Sequence, residues 1–364
     1  MKFLLRVAIK GVGLFLLVNL LVALIDLPGM GRVSAYNHLF PGRPRLPFGE
    51  TPREAYNFSL FDLDAMLAAH EISTAKAQDE FRVVLIGDSS VWGTLLRPEE
   101  TLAGQLNGLG LSAPDGQRMR FYNLGYPTIS LTKDLLVLEA AARHDPDLVI
   151  WLVTLEAFPR DKQLAVPLVE NNPLRARQLI ERAGLDLPAG DLNPPNFWQR
   201  TLIGRRKALA DFVRLQVYGV MWAATGIDQT YPADYPRAQT DLEPDPTFHG
   251  LETVTAGDLT LEAFPAAQRM LGETPLLVIN EPVMVSQGVN SDIRYNFYYP
   301  RRAYDDYRQI MQETARAAGI PYLDAWDIVP VEEFTNSAIH LDRGGTARLA
   351  RRTAEFIQQS GIRR

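Results

Sequence analysis

The sequence has no cysteine among its 364 residues, and it has only five histidines. The absence of cysteine excludes disulfide bonds, thiolate metal sites and a cysteine nucleophile. The formal net charge of −6 is small, so the composition gives no reason to expect nucleic acid as a partner. With 46% hydrophobic residues, the chain is long enough for one large domain or two ordinary ones with a proper core.

A long apolar run is present at the N-terminus. Phe3 to Leu27 is almost entirely apolar, with Lys2, Arg6 and Lys10 at its start. This length suits a single transmembrane helix, and the positive-inside rule places the rest of the chain outside the cytoplasm. A cleaved signal peptide is the competing interpretation, but the candidate cleavage site Val33-Ser34-Ala35 lies far beyond the apolar run. We therefore expect an uncleaved membrane anchor.

Short apolar segments alternate with segments of helical periodicity over much of the remaining chain. This alternation predicts an α/β fold with a parallel sheet covered by helices on both sides. The predicted strands are Arg82–Ile86, Met119–Leu124, Leu148–Thr154, Pro275–Asn280 and Pro321–Asp324. The predicted helices around them are Phe58–Ala77, Thr101–Leu109, Lys133–Arg143, Thr260–Leu271, Tyr304–Ala318 and Gly345–Gln359.

The alternation stops between the third and fourth predicted strands. Two helices, Pro167–Ala183 and Phe197–Ala224, are predicted there, and we expect this insertion to lie over the ligand-binding edge of the sheet. The resulting division is an anchor (1–27), a linker with a first helix (28–80), the first part of the core (81–160), a helical insertion (161–258) and the second part of the core (259–364).

Ser89 is the candidate nucleophile. It follows a β-branched, apolar segment typical of a strand buried on both faces, and Gly87 permits a tight turn between them. In open α/β sheets, ligands bind at the carboxyl ends of the strands. A serine hydroxyl needs a base, which is most often histidine. Of the five histidines, only His340 lies in the returning α/β core, in a loop before the last helix, so it is the candidate base.

Gly125 is the candidate oxyanion donor. It ends the second predicted strand, at the same edge of the sheet as Ser89. A glycine N–H can approach a substrate closely because no side chain stands in the way. The N–H of Ser89 is the natural second donor.

Together these residues resemble the motifs of the SGNH (GDSL-like) hydrolase superfamily. The resemblance rests on Gly87-Asp88-Ser89 with Gly93, on Asn123-x-Gly125, and on His340-Leu341-x-x-x-Gly345. It implies a three-layer, flavodoxin-like fold with a five-stranded parallel sheet, with Ser89 as nucleophile, Gly125 as oxyanion donor and His340 as base. The N-terminal anchor and the large insertion look more like the membrane-tethered branch that moves or removes acyl groups on envelope polysaccharides.

The sequence departs from the family pattern at two places. Where the family has the asparagine that completes its oxyanion hole, this chain has Thr154, whose hydroxyl could substitute as a donor. The family's acid lies three residues before the histidine, where this chain has Ser337 preceded by Asn336. Either residue could fix the tautomer of the imidazole by a hydrogen bond, but neither supplies a negative charge. Asp88 adjoins the nucleophile, and the negative charge could come instead from Glu281, Glu333 or Asp342.

Two further segments have a structural and a functional interpretation. The loop after the fourth strand carries Arg294, Tyr295 and Asn296, which suit sugar stacking and hydrogen bonding or simply pack the loop. The second insertion helix carries a basic cluster, which is either a solvated face or a contact for anionic lipid or polymer. Its aromatic face is expected to be core, with the membrane interface as the alternative.

The sequence therefore predicts a membrane-anchored serine esterase or O-acyltransferase outside the cytoplasm. Its expected substrate is an acylated envelope glycan or lipid, and no metal or organic cofactor is implied. The alternative is a catalytically inactive SGNH-like protein that binds glycan or serves as a scaffold.

Overall fold

A five-stranded, entirely parallel sheet forms the centre of the protein. The computed structural model describes residues 2–24, 35–40, 43, 63–68, 70–193, 195–229, 236–238, 243–244 and 253–361. Within these residues the strand order is β2-β1-β3-β4-β5. The strands are β1 (Glu80–Gly87), β2 (Arg118–Gly125), β3 (Leu148–Val153), β4 (Leu276–Asn280) and β5 (Tyr322–Asp324). The α/β, flavodoxin-like fold implied by the SGNH resemblance is thus confirmed.

Helices cover both faces of this sheet, and others precede it or lie in the insertion. They are α1 (Lys2–Leu24), α2 (Ala35–Leu39), α3 (Leu63–Ala68), α4 (Ser89–Trp92), α5 (Leu102–Gly108), α6 (Leu131–Ala141), α7 (Pro167–Asn171), α8 (Pro173–Ala183), α9 (Phe197–Arg200), α10 (Arg206–Thr225), α11 (Ala263–Leu271), α12 (Arg301–Ala318) and α13 (Arg343–Gln359).

Two hydrophobic clusters hold the layers together, one on each face of the sheet. Alternate residues of β1 divide between them: Val84 and Ile86 face the cluster of α6, α8, α11 and α12, whereas Val83 and Leu85 face that of α5 and α13. All eight residues of β1 are buried, as predicted for a central strand of a parallel sheet.

Strand β1 begins two residues earlier than the sequence pattern indicates. Arg82 lies inside the strand because its guanidinium is paired with Glu80 at 2.7 Å and donates to the carbonyl of His144 at 2.9 Å. A buried charge is tolerated when it is paired and hydrogen-bonded in this way. Hydropathy alone does not show such pairing.

The region before β1 is less helical than predicted. Of the predicted helix Phe58–Ala77, the described part is α-helical only over α3, with a single 3₁₀ turn at Glu71–Ser73. The hydroxyls of Ser73 and Thr74 donate to the carbonyls of His70 and Glu71, which ends the helical run. Within the predicted linker, the described residues include the short helix α2.

Among the described residues of the insertion, the helices do not lie over the ligand-binding edge. Helices α7 and α8 pack against α6, on one face of the sheet domain, and α10 packs against α2. Contact with the ligand-binding edge comes instead from residues 237, 238 and 243. The N–H of Ala238 donates to the carbonyl of Thr335, and Asn290 donates to the carbonyl of Glu243. The division into five sequence segments stays a prediction.

Helix α1 is long and apolar enough to cross a membrane by length and composition. It is the one such helix in the described part of the chain, and a signal sequence near the N-terminus would pass the same test.

Candidate active site

Ser89 lies at the carboxyl end of β1, where the strand order reverses between β1 and β3. This is the switch point at which open α/β sheets bind ligands. Asp88 caps the short helix α4 by accepting from the N–H of Ser90 at 2.8 Å, and this leaves Ser89 as the first helical residue. Gly93 ends the helix in the left-handed conformation with φ of 87°, a geometry that favours glycine.

His340 reaches Ser89 from a closed loop between β5 and α13. The loop is fixed by a bridge between Phe334 and Leu341, and the N–H of Thr335 donates to the carbonyl of His340 at 2.8 Å. Ser89 Oγ lies 2.7 Å from His340 Nε2, which is hydrogen-bonding distance. Residues separated by 251 positions in the chain are thus brought together at one edge of the sheet.

Asn336 is the partner of the other imidazole nitrogen. Its Oδ1 lies 2.8 Å from His340 Nδ1. An amide oxygen only accepts, so this contact assigns a proton to Nδ1 and leaves Nε2 as the acceptor for the serine proton. Of the two residues that the sequence left open, Asn336 is the one that hydrogen-bonds to the ring.

Burial lowers the pKa of His340, and the nearby carboxylate of Asp88 opposes this effect. The neutral imidazole is the form that can accept a proton. The histidine is therefore held in the form that a general base requires, without a carboxylate on its second nitrogen.

Glu281 does not act on His340. Its side chain is buried and accepts a hydrogen bond from Ser90 Oγ, next to the nucleophile. Burial raises its pKa well above the usual range, and the neighbouring Asp88 raises it further. Two carboxylates in one buried space oppose each other's ionisation, which favours the protonated form of Glu281.

The other two acids considered from the sequence are also engaged elsewhere. Asp342 accepts from the N–H groups of Gly344 and Gly345 at the start of α13. Glu333 accepts from Arg348 at 2.7 Å.

Two of the expected oxyanion donors are already hydrogen-bonded. The N–H of Gly125 donates to Asn123 Oδ1 at 3.0 Å, and the hydroxyl of Thr154 lies 2.8 Å from the hydroxyl of Tyr299. Thr154 is fully buried. The absence of a side chain at Gly125 has a packing reason, since a Cβ there would lie 2.2 Å from the backbone nitrogen of Trp92 in α4.

Lys133 joins the two strand ends that carry the site. Its fully buried ammonium donates to the carbonyl of Gly87 at 2.8 Å and to that of Tyr126 at 3.2 Å. Asp134 balances the charge at 2.5 Å. Lys133 was not among the residues singled out from the sequence, although a lysine next to an aspartate within a mostly apolar helix is a usable signal.

Thr128 is a second residue that sequence reasoning missed. It follows Gly125 and Tyr126 in the loop between β2 and α6, and its φ of 93° is uncommon for a residue with a side chain. Its hydroxyl is buried and has no hydrogen-bond partner in the part of the chain that the structure describes. Backbone strain of this kind tends to occur at functional sites.

The three residues predicted to bind substrate are turned into the protein, so this prediction does not fit the structure. Arg294, Tyr295 and Asn296 are all buried. Asn296 donates to the carbonyl of Met284 and accepts from Tyr298 N–H, which orders the loop itself. Their alternation of charge, ring and amide reflects packing rather than an open sugar-binding surface.

No group of three or more histidine, aspartate or glutamate side chains among the described residues is placed to hold a metal ion. The fold and the site together define an α/β protein with a flavodoxin-like parallel sheet. Its distinguishing feature is a hydrogen-bonded serine and histidine at the carboxyl edge of the sheet.

The solved structures to which the chain is similar include esterases. An aryl esterase from M. smegmatis is 14% identical, with a TM-score of 0.35 over 76% of this chain and 98% of that one. The carbohydrate acetylesterase Est24 from Sinorhizobium meliloti is 14% identical, with a TM-score of 0.34 over 76% and 98%. A protein described as a GDSL-like lipase from Bacteroides ovatus is 12% identical, with a TM-score of 0.37 over 77% and 53%.

Neither a protein-family model nor a curated protein matches the chain.

Proposed function

We propose that the protein is a membrane-anchored serine esterase or O-acyltransferase that acts outside the cytoplasm on an acylated envelope glycan or lipid. The observation that carries the catalytic part is the 2.7 Å contact between Ser89 Oγ and His340 Nε2 at the ligand-binding edge of the sheet. The apolar helix α1 and the resemblance to the membrane-tethered SGNH branch support the location and the substrate class.

In the proposed reaction, Ser89 Oγ attacks the acyl carbonyl while its proton passes to His340 Nε2. The Nδ1–H of the resulting imidazolium donates to Asn336 Oδ1, which keeps the ring oriented. His340 then returns the proton to the leaving alcohol, and an acyl ester on Ser89 remains. Water or a sugar hydroxyl attacks this ester, with His340 again as base, and releases the acid or the transferred ester.

The oxyanion that forms in each step needs donors. The N–H of Ser89 lies in the first turn of α4, where a helix has no internal acceptor for it. We propose this group as the first donor and the loop of Gly125 and Thr128 as the source of the second. The N–H of Gly125 can donate to the oxyanion once its hydrogen bond to Asn123 Oδ1 is broken. Thr128, whose backbone is strained, lies in the loop that follows Gly125 at the same edge of the sheet.

A fluorophosphonate probe tests the catalytic proposal, because it forms a covalent adduct only with an activated serine. We expect labelling of the full chain, loss of labelling in Ser89→Ala, and retention in the adjacent control Ser90→Ala. If no Ser89-dependent adduct forms at any pH, the proposed enzymatic activity is refuted.

The rival function is an inactive SGNH-like protein that binds glycan or serves as a scaffold. It is favoured by one observation, namely that Gly125 N–H and the Thr154 hydroxyl both have partners within the protein. Loss of one oxyanion donor typically costs about 2.7–4 kcal/mol of transition-state stabilisation. An unlabelled chain that still binds acylated glycan would establish this rival.

A further inference from the structure

An apolar and basic surface lies beside the anchor helix. Helix α9, the turn at residues 201–205 and helix α10 form a unit, here called the α9–α10 unit. Trp198 is 74% exposed, and Ile203 is also exposed. Along α10 an exposed stripe at helical spacing is formed by Val213, Val217 and Met221. The sequence-based expectation that the aromatic face is core is therefore wrong for Trp198 and Val217.

The α9–α10 unit contacts the last turns of α1. Helix α9 packs against α1, and the two buried residues of α1, Asn19 and Ala23, lie one turn apart on the same face. Asn19 Oδ1 accepts a hydrogen bond from the N–H of Ile203 at 3.2 Å. Asn19 is the one strongly polar residue from Gly11 to Ile25, and this contact provides a hydrogen bond for its side chain.

This contact determines the depth of the unit if α1 spans a bilayer. Asn19 lies five residues before the end of α1, which corresponds to about 7 Å along the helix axis. Ile203 and its exposed neighbour Trp198 then stand level with the last turns of the span. That level is the boundary of headgroups and acyl chains, where tryptophan is enriched.

The charges around this surface are suited to anionic headgroups. Residues 197–229 contain five basic residues and two acidic residues, Asp211 and Asp228, and the buried Asp228 is paired with Arg43. The basic residues are Arg200, Arg205, Arg206, Lys207 and Arg214. Apolar and aromatic side chains next to arginine and lysine are typical of helices that lie in the plane of a membrane surface.

Besides its contact with α1, the unit packs against α2, the short helix in the linker after the anchor. Ala35 N–H donates to Gln216 Oε1 at 2.7 Å, Tyr36 packs on Gly219, and the Tyr36 hydroxyl donates to the buried Asp228. No residue of 197–229 in the described chain belongs to either hydrophobic cluster of the sheet. The unit is thus built onto the membrane-proximal end of the chain.

We propose that the α9–α10 unit docks into the bilayer surface next to α1 and binds anionic lipid headgroups. This proposal rests on the anchoring part of the proposed function but not on its catalytic part. The domain is then held on the membrane at two places, through the span and through this surface, rather than by a flexible tether.

Quenching by brominated lipid tests the docking. The full chain is reconstituted into vesicles of phosphatidylcholine and phosphatidylglycerol in equal amounts, with bromine near the top of the acyl chain. We expect quenching of tryptophan fluorescence that is largely lost in Trp198→Phe and kept in the control Trp326→Phe, whose ring packs against Tyr295 in the sheet domain. Equal quenching in Trp198→Phe and the unmodified chain would overturn the docking.

Two further measurements separate the parts of the proposal. Alkaline carbonate extraction of the same vesicles reports whether α1 is inserted, so a chain that resists extraction without Trp198-dependent quenching contradicts the docking alone. In vesicles of phosphatidylcholine only, we expect weaker quenching. Equal quenching with and without phosphatidylglycerol would overturn the binding of anionic headgroups. The thermal midpoint of Trp198→Phe in detergent, compared with that of the unmodified chain, reports whether the sheet domain is folded.

Discussion

At the scale of single residues, the neutral amide of Asn336 is the most informative feature of the site. It sets the imidazole tautomer through Nδ1 but provides no charge to stabilise an imidazolium. The pKa of His340 is lowered because the ring is buried, and Asp88 compensates only in part. A base of this kind stays neutral, and therefore competent, at a lower pH than an ordinary histidine.

Replacement of Asn336 by aspartate is expected to move the acid limb of the pH profile. A carboxylate beside Nδ1 favours the protonated ring and raises the pKa of His340 by about 1–3 units. Since only the neutral ring accepts the serine proton, Asn336→Asp is expected to lose activity at low pH and recover it at a higher pH than the unmodified chain. The measurement is kcat/KM against pH with a soluble chromogenic ester.

The control for this prediction is Asn171→Asp, which makes the same change at an exposed position in α7. Its pH profile is expected to match that of the unmodified chain. An acid limb that stays in place or moves to lower pH in Asn336→Asp would contradict the pairing of Asn336 with His340.

At the scale of elements, the close packing of the end of β2 against helix α4 determines the position of the nucleophile. They touch through Gly125, where backbone meets backbone without an intervening side chain. Lys133 in α6 adds hydrogen bonds to the carbonyls of Gly87 and Tyr126, one at each strand end. The position of Ser89 thus depends on three elements that meet at one place.

Introduction of a methyl group at this contact is expected to displace α4. In Gly125→Ala the new Cβ would lie 2.2 Å from Trp92 N, so the backbone of one element must move. Overpacking of this kind typically costs about 1–3 kcal/mol of unfolding free energy. We expect a lower thermal midpoint in detergent and a much slower rate of fluorophosphonate labelling.

Gly108→Ala is the matched control, because a Cβ at Gly108 meets no atom within 4 Å at the end of helix α5. Replacement of a glycine within a helix by alanine typically raises the free energy of unfolding, by up to about 1 kcal/mol. If both variants label at the rate of the unmodified chain, the close contact of β2 with α4 does not control the nucleophile.

At the scale of the whole molecule, the chain combines an apolar helix, the α9–α10 unit and a sheet domain with its candidate site on one edge. The proposed orientation has the basic N-terminal residues in the cytoplasm and the sheet domain outside. The natural absence of cysteine makes this orientation directly measurable, since any thiol introduced is the only one in the chain.

Single-cysteine variants test the orientation in intact cells. Ser112→Cys, at an exposed position before β2, is expected to react with a membrane-impermeant maleimide in intact cells. Lys2→Cys is expected to react only after lysis. The reversed pattern would contradict the orientation, and a mature chain that no longer contains position 2 would identify α1 as a cleaved signal sequence.

The sequence by itself determined the strands, their parallel arrangement and the two residues of the proposed catalytic pair. It could do so because buried parallel strands are continuously apolar, and because Ser89 and His340 follow segments that end at the same edge. It also limited the partner of His340 to a short list that included Asn336. These are local patterns, so they can be read without knowing which distant segments meet.

Only the tertiary structure decided what each polar group faces. In the structure, Gly125 N–H and the Thr154 hydroxyl are hydrogen-bonded within the protein, and Arg294, Tyr295 and Asn296 are buried. The apolar face of α10, which hydrophobicity alone assigns to the core, is exposed. The tertiary structure also revealed the strained Thr128 and the bridging Lys133. Hydrogen-bond partners and burial depend on contacts between segments far apart in the chain, and composition and periodicity do not contain that information.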